Sequence, residues 1–229
     1  MQAVEAVELG ERWIGTDESG KGDFFGPLVA AAVLVDGRIA ALLTELGVRD
    51  SKNLSDKQNI DLAAKIYLVC GANAQVVPIP PVRYNTLYDQ MTREGKNLNT
   101  LLAWAHTRAL ENLLTAFPQN RITVIIDQFA DEHYIQDKLM ASARSIELHL
   151  VQLPKAEANI AVAAASILAR AGFLDALNRL SREYGVTLPK GASDPSIITI
   201  GQQIVARGGQ PALAKVAKLH FKTTAKILG

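Results

Sequence analysis

GTDESGKGDFFGPLVAAAVLVDG, residues 15–37, holds the reading of the fold: two adjacent carboxylates, a glycine-rich loop, then an apolar run closed by Asp36-Gly37. Residues 12–17 read as a short strand. The run after Pro27 reads as a second strand, apolar on both faces, as a strand covered on both sides requires, and the two form a hairpin. Gly20 and Gly22 flank Lys21. Glycine has no side chain to obstruct a ligand and reaches positive φ cheaply, so this loop lets backbone approach a polar group closely. A Walker-type phosphate loop is excluded, because its spacing and its Lys-Ser/Thr pair are absent. Successive strand residues face opposite ways, so Glu18 joins Asp17 only if the strand ends there and the chain bends, which Ser19-Gly20 favours.

Outward from this hairpin, RIAALLTELG has helical spacing with a terminal glycine, and SDKQNIDLAAKI offers Ser55 as an N-cap. YLVCGANAQVVPI carries the next strand, and Pro78, Pro80 and Pro81 stop regular structure after it. NLNTLLAWAHTRALENLLTAF is the clearest helix, with Leu98, Leu101, Leu102, Ala105, Ala109 and Leu113 on one stripe. RITVIID is a β-branched strand ending at Asp127, and IELHLVQL, after an intervening helix, is the last strand. A long Ala-rich helix follows, with Gly185 as its C-cap, and residues 211–219 suggest a final helix. The pattern predicts an α/β fold: a mixed central sheet flanked by helices, with a helical C-terminal region, as a single domain over residues 1–229.

Composition narrows the function classes. Of 229 residues 48% are hydrophobic, enough for a sizeable core, and 24 Lys and Arg against 23 Asp and Glu mean that a polyanion must be held by a local patch. The lone Cys70 excludes an internal disulfide and reads as a buried, inert thiol. The first residues lack a charged-then-apolar leader, and no apolar run approaches a membrane span of roughly 18 residues. The reading is a cytoplasmic, monomeric protein without a membrane partner.

Asp17 and Asp127 both follow apolar strand-like runs. Each alone is compatible with an ordinary turn, where aspartate bonds nearby amides. On neighbouring strands, however, the two carboxylates converge and repel unless a cation or a proton intervenes, and Mg²⁺ or Mn²⁺ takes such oxygen ligands. Glu157, just after Lys155 and before the Ala-rich helix, fits either an N-terminal charge or a third contributor brought in by close helix packing. Arg49, Lys52 and Lys57 in RDSKNLSDK suit phosphates or a solvated helix entry. His106 reads as structural or surface; His220, among Lys218, Lys222 and Lys226, reads as facing nucleic acid or as a solvated tail.

Taken in order, GTDESGKGDFFGPLVAAAVLV, RDSKNLSD, NLNTLLAWAH, VIIDQFA, KAEANIAVAAASILAR, PKGAS and KLHFKTTAKI closely resemble the type 2 ribonucleases H, bacterial ribonuclease HIII in particular, over nearly the whole chain. The resemblance implies a ribonuclease-H-like fold and an endonuclease that cuts the RNA strand of RNA–DNA hybrids, leaving 5′-phosphate and 3′-hydroxyl ends. The family's four catalytic, metal-binding acids fall on Asp17, Glu18, Asp127 and Glu157, with two Mg²⁺ or Mn²⁺ ions roughly 4 Å apart. By the same resemblance Gly20, Lys21 and Gly22 read the 2′-hydroxyl. Ser51, Lys52 and Lys222 are assigned to phosphates, which hold register without reading sequence.

Three departures point from ribonuclease HII toward HIII: Glu157 where HII has aspartate, Lys21 where HII has arginine, and Ala192 where HII has a tyrosine that helps it recognise single ribonucleotides. Cleavage at runs of ribonucleotides is therefore expected. The alternatives are an HII-type incision at lone ribonucleotides and a non-catalytic hybrid-binding module. Ribonuclease HIII usually carries an additional N-terminal substrate-binding domain, whereas 16 residues precede Asp17 here, and weaker substrate binding is the expected consequence.

Overall fold

The computed structural model describes residues 11–118, 121–127 and 147–229. β1 (Arg12–Ser19) and β2 (Leu28–Asp36) form the expected antiparallel hairpin, in register from Arg12 opposite Asp36 to Ser19 opposite Val29. β3 (Ala74–Ile79) pairs antiparallel with β2, while β4 (Arg121–Asp127) joins β1 and β5 (Glu147–Leu153) joins β4, both parallel. The sheet order is β3-β2-β1-β4-β5, which is the mixed sheet expected. Among the described residues the helices are α1 (Gly37–Glu45), α2 (Asp56–Cys70), α3 (Pro81–Arg93), α4 (Leu98–Ala116), α5 (Ile160–Tyr184), α6 (Ser196–Ala214) and α7 (Thr223–Leu228).

Strand alternation explains why β2 is apolar throughout. Val29, Ala31, Val33 and Val35 enter one core with α5, whereas Leu28, Ala30, Ala32 and Leu34 enter a second with α4. The sheet is thus covered on both faces. On the α5 side the approach is close because the residues are small: Ala161, Ala163, Ala164 and Ala165 are buried, and a Cβ on Gly15 would lie 2.2 Å from the Val162 backbone nitrogen. By length and composition α5 is apolar enough to cross a membrane, contrary to the expectation that no run approaches a span, but 67% of its apolar window is buried inside this fold.

Local signals set several boundaries. Ser55 and Gln58 form a reciprocal capping box at the start of α2, with bonds of 3.3 and 2.8 Å, an arrangement in which the cap alone contributes about 1 kcal/mol. Asn97 caps α4, Asn159 caps α5, and Gly185 closes α5 at φ 63°. Cys70 is buried and unpaired, and burial pushes its thiol up to about 11, consistent with an inert group.

Elsewhere the expected boundaries need correction. Residues 67–70 do not begin a strand; α2 continues through Cys70 and Gly71 ends it at φ 52°. A four-residue apolar run has no period of its own, and here the helix buries Ile66 and Cys70 while leaving Leu68 85% exposed. The prolines do not end regular structure either. Pro78 sits in β3 at the edge of the sheet, and Pro81 opens α3 at a position where a helix has no use for the missing N–H. The helix expected over 211–219 is the end of α6, bent at Gly208-Gly209, and the terminal helix is α7. The helix expected between β4 and β5 lies outside the described residues.

Candidate active site

β1 and β4 run parallel, in register from Trp13 opposite Thr123 to Thr16 opposite Ile126, so Asp17 and Asp127 come next on adjacent strands. Both line one cleft of about 500 Å³ at the carboxyl ends of these strands, where open α/β sheets collect their ligands. The convergence expected from the sequence is met. Glu18 arrives there by another route than the one expected. β1 does not stop at Asp17 but continues to Ser19, with Glu18 paired to Ala30. Alternation therefore sends Gly15 and Asp17 toward α5, and Thr16 and Glu18 toward α4. On the α4 side Glu18 Oε2 is 3.0 Å from His106 Nε2. The two acids straddle the sheet and still line the same cleft.

Their electrostatics differ accordingly. Burial, followed by the neighbouring charge of Glu18, pushes the Asp17 carboxyl up to about 7, although the Glu18 amide donates to Asp17 Oδ1 at 2.8 Å and Ser166 offers a further bond. Burial also opposes charge on Glu18, yet the His106 hydrogen bond and the Lys21 and Lys52 ammoniums outweigh it and hold this carboxyl below its ordinary value. Burial likewise pulls on Lys52, but Glu157, Asp50, Asp17 and Asp127 together hold it above the ordinary lysine value. The Lys52 ammonium thus senses Asp17, Asp127 and Glu157 together and stands where a cation is wanted.

Glu157 lies in a short turn, Ala156–Ala158, between β5 and α5, entered through Lys155 in the left-handed region at φ 57°. Asn159 fixes this junction by accepting from the Trp13 indole at 3.2 Å and from Ala161 N at 2.9 Å. Glu157 Oε1 is 3.9 Å from Lys52 Nζ, at the margin of the cleft rather than in its lining. Among the described residues no three His, Cys, Asp or Glu side chains make a ready-made cage. The carboxylates in the cleft suit a hard divalent cation such as Mn²⁺ or Mg²⁺, which few carboxylates hold while water and phosphate complete the shell. Asp17 and Glu18 offer hard oxygen donors of the kind such a cation takes.

Gly20, Lys21 and Gly22 line the cleft as expected, for unequal reasons. Gly20 has φ 91° and a Cβ there would lie 2.2 Å from Pro27 O, so the fold itself demands glycine; a Cβ on Gly22 meets nothing within 4 Å. The loop is anchored by distant segments. Gly191 N donates to Asp23 Oδ1 at 2.6 Å, Phe24 N donates to Gly191 O, and Gly26 N donates to Val216 O. Asp23 is thereby a loop residue and no part of the acid cluster.

Ser51 and Lys52 line the cleft, but Ser51 Oγ is engaged with Ser166 Oγ at 2.6 Å and ties its loop to α5. Buried Asn59 holds the same loop, donating to the carbonyls of Ser51, Leu54 and Ser55. Arg49, Lys57 and Lys222 are exposed and are not in the cleft lining. Lys218 and His220 do not belong to a basic surface tail. Lys218 is fully buried, its Nζ donating to Gly26 O at 2.6 Å, and burial pushes it down to about 7. The His220 ring packs among those of Tyr84, Tyr88 and Phe221.

Residues that the sequence reading passed over complete the walls. Arg170 bonds Asp56 Oδ1 at 3.1 Å, and Lys190 of PKGAS bonds Asp56 Oδ2, joining three segments at the cleft. Ser166 reaches both Asp17 and Ser51. A signal for these two α5 residues was present: Ser166 and Arg170, one turn apart, are the only polar residues between Ile160 and Ala171.

A mixed sheet whose neighbouring parallel strands carry aspartates near their carboxyl ends, beside a glycine loop and lysines, defines a nuclease of the ribonuclease-H-like class. The sequence profile of ribonuclease HII matches residues 14–224, and the chain belongs to that family of metal-dependent endoribonucleases. It is 44% identical over 216 residues to ribonuclease HIII of Protochlamydia amoebophila, covering 94% of this chain and 68% of that protein. It is 43% identical over 211 residues to ribonuclease HIII of Chlamydia pneumoniae, covering 92% and 68%. Among solved structures it superposes on Bst-RNase HIII in complex with Mn²⁺ with a TM-score of 0.84 at 37% identity, covering 96% of this chain and 70% of that one. The chain thus spans about two thirds of the length of these relatives.

Proposed function

We propose that the protein hydrolyses the RNA strand of RNA–DNA hybrids endonucleolytically, leaving 5′-phosphate and 3′-hydroxyl ends, and prefers runs of ribonucleotides. The observation that carries this reading is the pairing of β1 with β4, which sets Asp17 and Asp127 side by side in a cleft that also holds Glu18 and Lys52. Asp17, Glu18, Asp127 and Glu157 would hold two Mg²⁺ or Mn²⁺ ions. Bound divalent metal supplies Lewis acidity that activates water and offsets charge on the leaving oxygen.

The remaining chemistry belongs to the chain. Asp17 and Glu18 place negative charge on either face of the same strand end, so a phosphate enters only with compensating cations. Lys21, Lys52 and Arg170 line the cleft and attract the backbone without reading sequence. The glycine loop faces the ribose, whose 2′-hydroxyl distinguishes RNA from DNA. Ala192, partly buried against the core, offers no aromatic ring for a lone ribonucleotide.

A cleavage assay on defined duplexes tests the reading. With Mg²⁺ or Mn²⁺, a duplex carrying several consecutive ribonucleotides should be cut at least about tenfold faster than one carrying a single ribonucleotide, a barrier difference of ~1.4 kcal/mol. Equal rates would indicate an HII-type enzyme, and no 5′-phosphate product would leave only hybrid binding. Gly22→Ala tests the loop. Because a Cβ at Gly22 meets no protein atom within 4 Å, the variant should melt as the parent does while its KM for hybrid rises; an unchanged KM would remove Gly22 from the substrate surface.

A further inference from the structure

We infer that His106 is a positioning residue for Glu18, the inner member of a brace that directs this carboxylate into the metal-binding cleft. The inference rests on the reading of Glu18 as a metal ligand. Glu18 leaves β1 on the face opposite Asp17, toward α4, so both carboxylates serve one cleft only if Glu18 is turned and held there. A free glutamate loses rotamer entropy when it is fixed in one orientation. Here the holding group is itself immobile. His106 is 1% exposed inside α4, and its Nε2 stands 3.0 Å from Glu18 Oε2. An ionised carboxylate only accepts, so Nε2 is the donor.

The other ring nitrogen is fixed as well. His106 Nδ1 is 2.7 Å from Thr16 Oγ1, and Thr16 Oγ1 donates at 2.7 Å to Ala31 O on β2. Thr16 and Glu18 are two residues apart on the same face of β1, so one imidazole spans both. The line Ala31, Thr16, His106, Glu18 thus ties two strands and a helix to one carboxylate oxygen. Partners of this kind set the orientation of a metal-binding carboxylate without touching the metal, and their loss costs about 10–100-fold in metal affinity.

The test compares His106→Leu, which fills the space of the ring but donates nothing, with His106→Gln, whose side-chain amide can stand in for Nε2, and with Glu18→Gln. Mn²⁺ binding is measured by electron paramagnetic resonance without substrate, and cleavage is titrated with Mn²⁺ at saturating hybrid. His106→Leu should bind Mn²⁺ about 10–100-fold more weakly and need correspondingly more for half-maximal cleavage, with KM for hybrid unchanged. His106→Gln should recover most of the loss, which a purely packing role would not predict. A normal Mn²⁺ titration of His106→Leu beside a defective Glu18→Gln overturns the brace alone. Normal Mn²⁺ binding by Glu18→Gln removes Glu18 as a ligand and the brace with it. If His106→Leu does not fold, Thr16→Val carries the test: it keeps the imidazole and removes its Nδ1 partner, and unchanged Mn²⁺ binding there also overturns the proposal.

Discussion

Asp17→Asn should abolish cleavage, by at least about three orders of magnitude or ~4 kcal/mol of barrier, while raising the melting temperature of the metal-free protein. The two effects share a cause. Burial and the adjacent Glu18 push the Asp17 carboxyl up to about 7 from an ordinary 3.8. A group whose folded value is raised contributes stability that is fully present below its unfolded value and is lost as pH rises through the folded one. At pH 8 the charged carboxylate is therefore a net cost to the metal-free fold, and a neutral amide of the same shape relieves it. Each kcal/mol recovered raises the melting temperature by about 2–4 °C in a chain of this size. The amide is also a poorer cation ligand, so catalysis is lost. Melting curves without metal at pH 5 and pH 8 check this: the gain should be larger at pH 8. An equal or negative shift at pH 8 would mean that Asp17 is not electrostatically strained, and residual cleavage near the parent rate would remove it from the site.

Gly15→Ala should damage both stability and activity, although Gly15 is not in the cleft lining. Its added Cβ would lie 2.2 Å from Val162 N and 2.3 Å from Ala161 C, which are backbone atoms with no rotamer to yield. Either α5 lifts from the sheet or β1 shifts beneath it. Overpacking of this sort costs about 1–3 kcal/mol, sometimes more. Asp17 lies two residues further along β1, and Ser166 and Glu157 are carried by α5 and the turn before it, so the same displacement opens the site. A misplacement of about 1 Å is enough for a hundredfold loss of rate. Urea denaturation and single-turnover cleavage read the two effects; a stable, fully active variant would show that α5 is not held by this contact.

Much of the fold could be read along the chain because it is written in periods and caps. The apolar run of β2, Ser55 before α2, the apolar stripe of α4 and the β-branched β4 each state their structure locally. Where local signals conflict or are short, the reading failed. The run through Cys70 has no period long enough to separate helix from strand. Pro81 begins a helix as readily as it ends one. In α6 the Gly-Gly break lies inside the helix instead of at its end. The acids were legible as residue types at chain positions, yet their mutual arrangement was not. Lys218 shows the same limit: its neighbours in sequence suggest a basic surface, and its neighbours in space are the carbonyls of Gly26 and Pro27.

Chain chemistry alone established an α/β protein with carboxylates at strand ends beside a glycine loop, because hydrophobic period, capping groups and turn residues act over a few positions at a time. Packing in three dimensions settled the rest. Strand pairing put Asp17 beside Asp127, alternation put Glu18 on the far face, and α4 supplied the histidine that holds it there. These are contacts between residues about 90 to 110 positions apart, and no local period records which distant segments a sheet brings together.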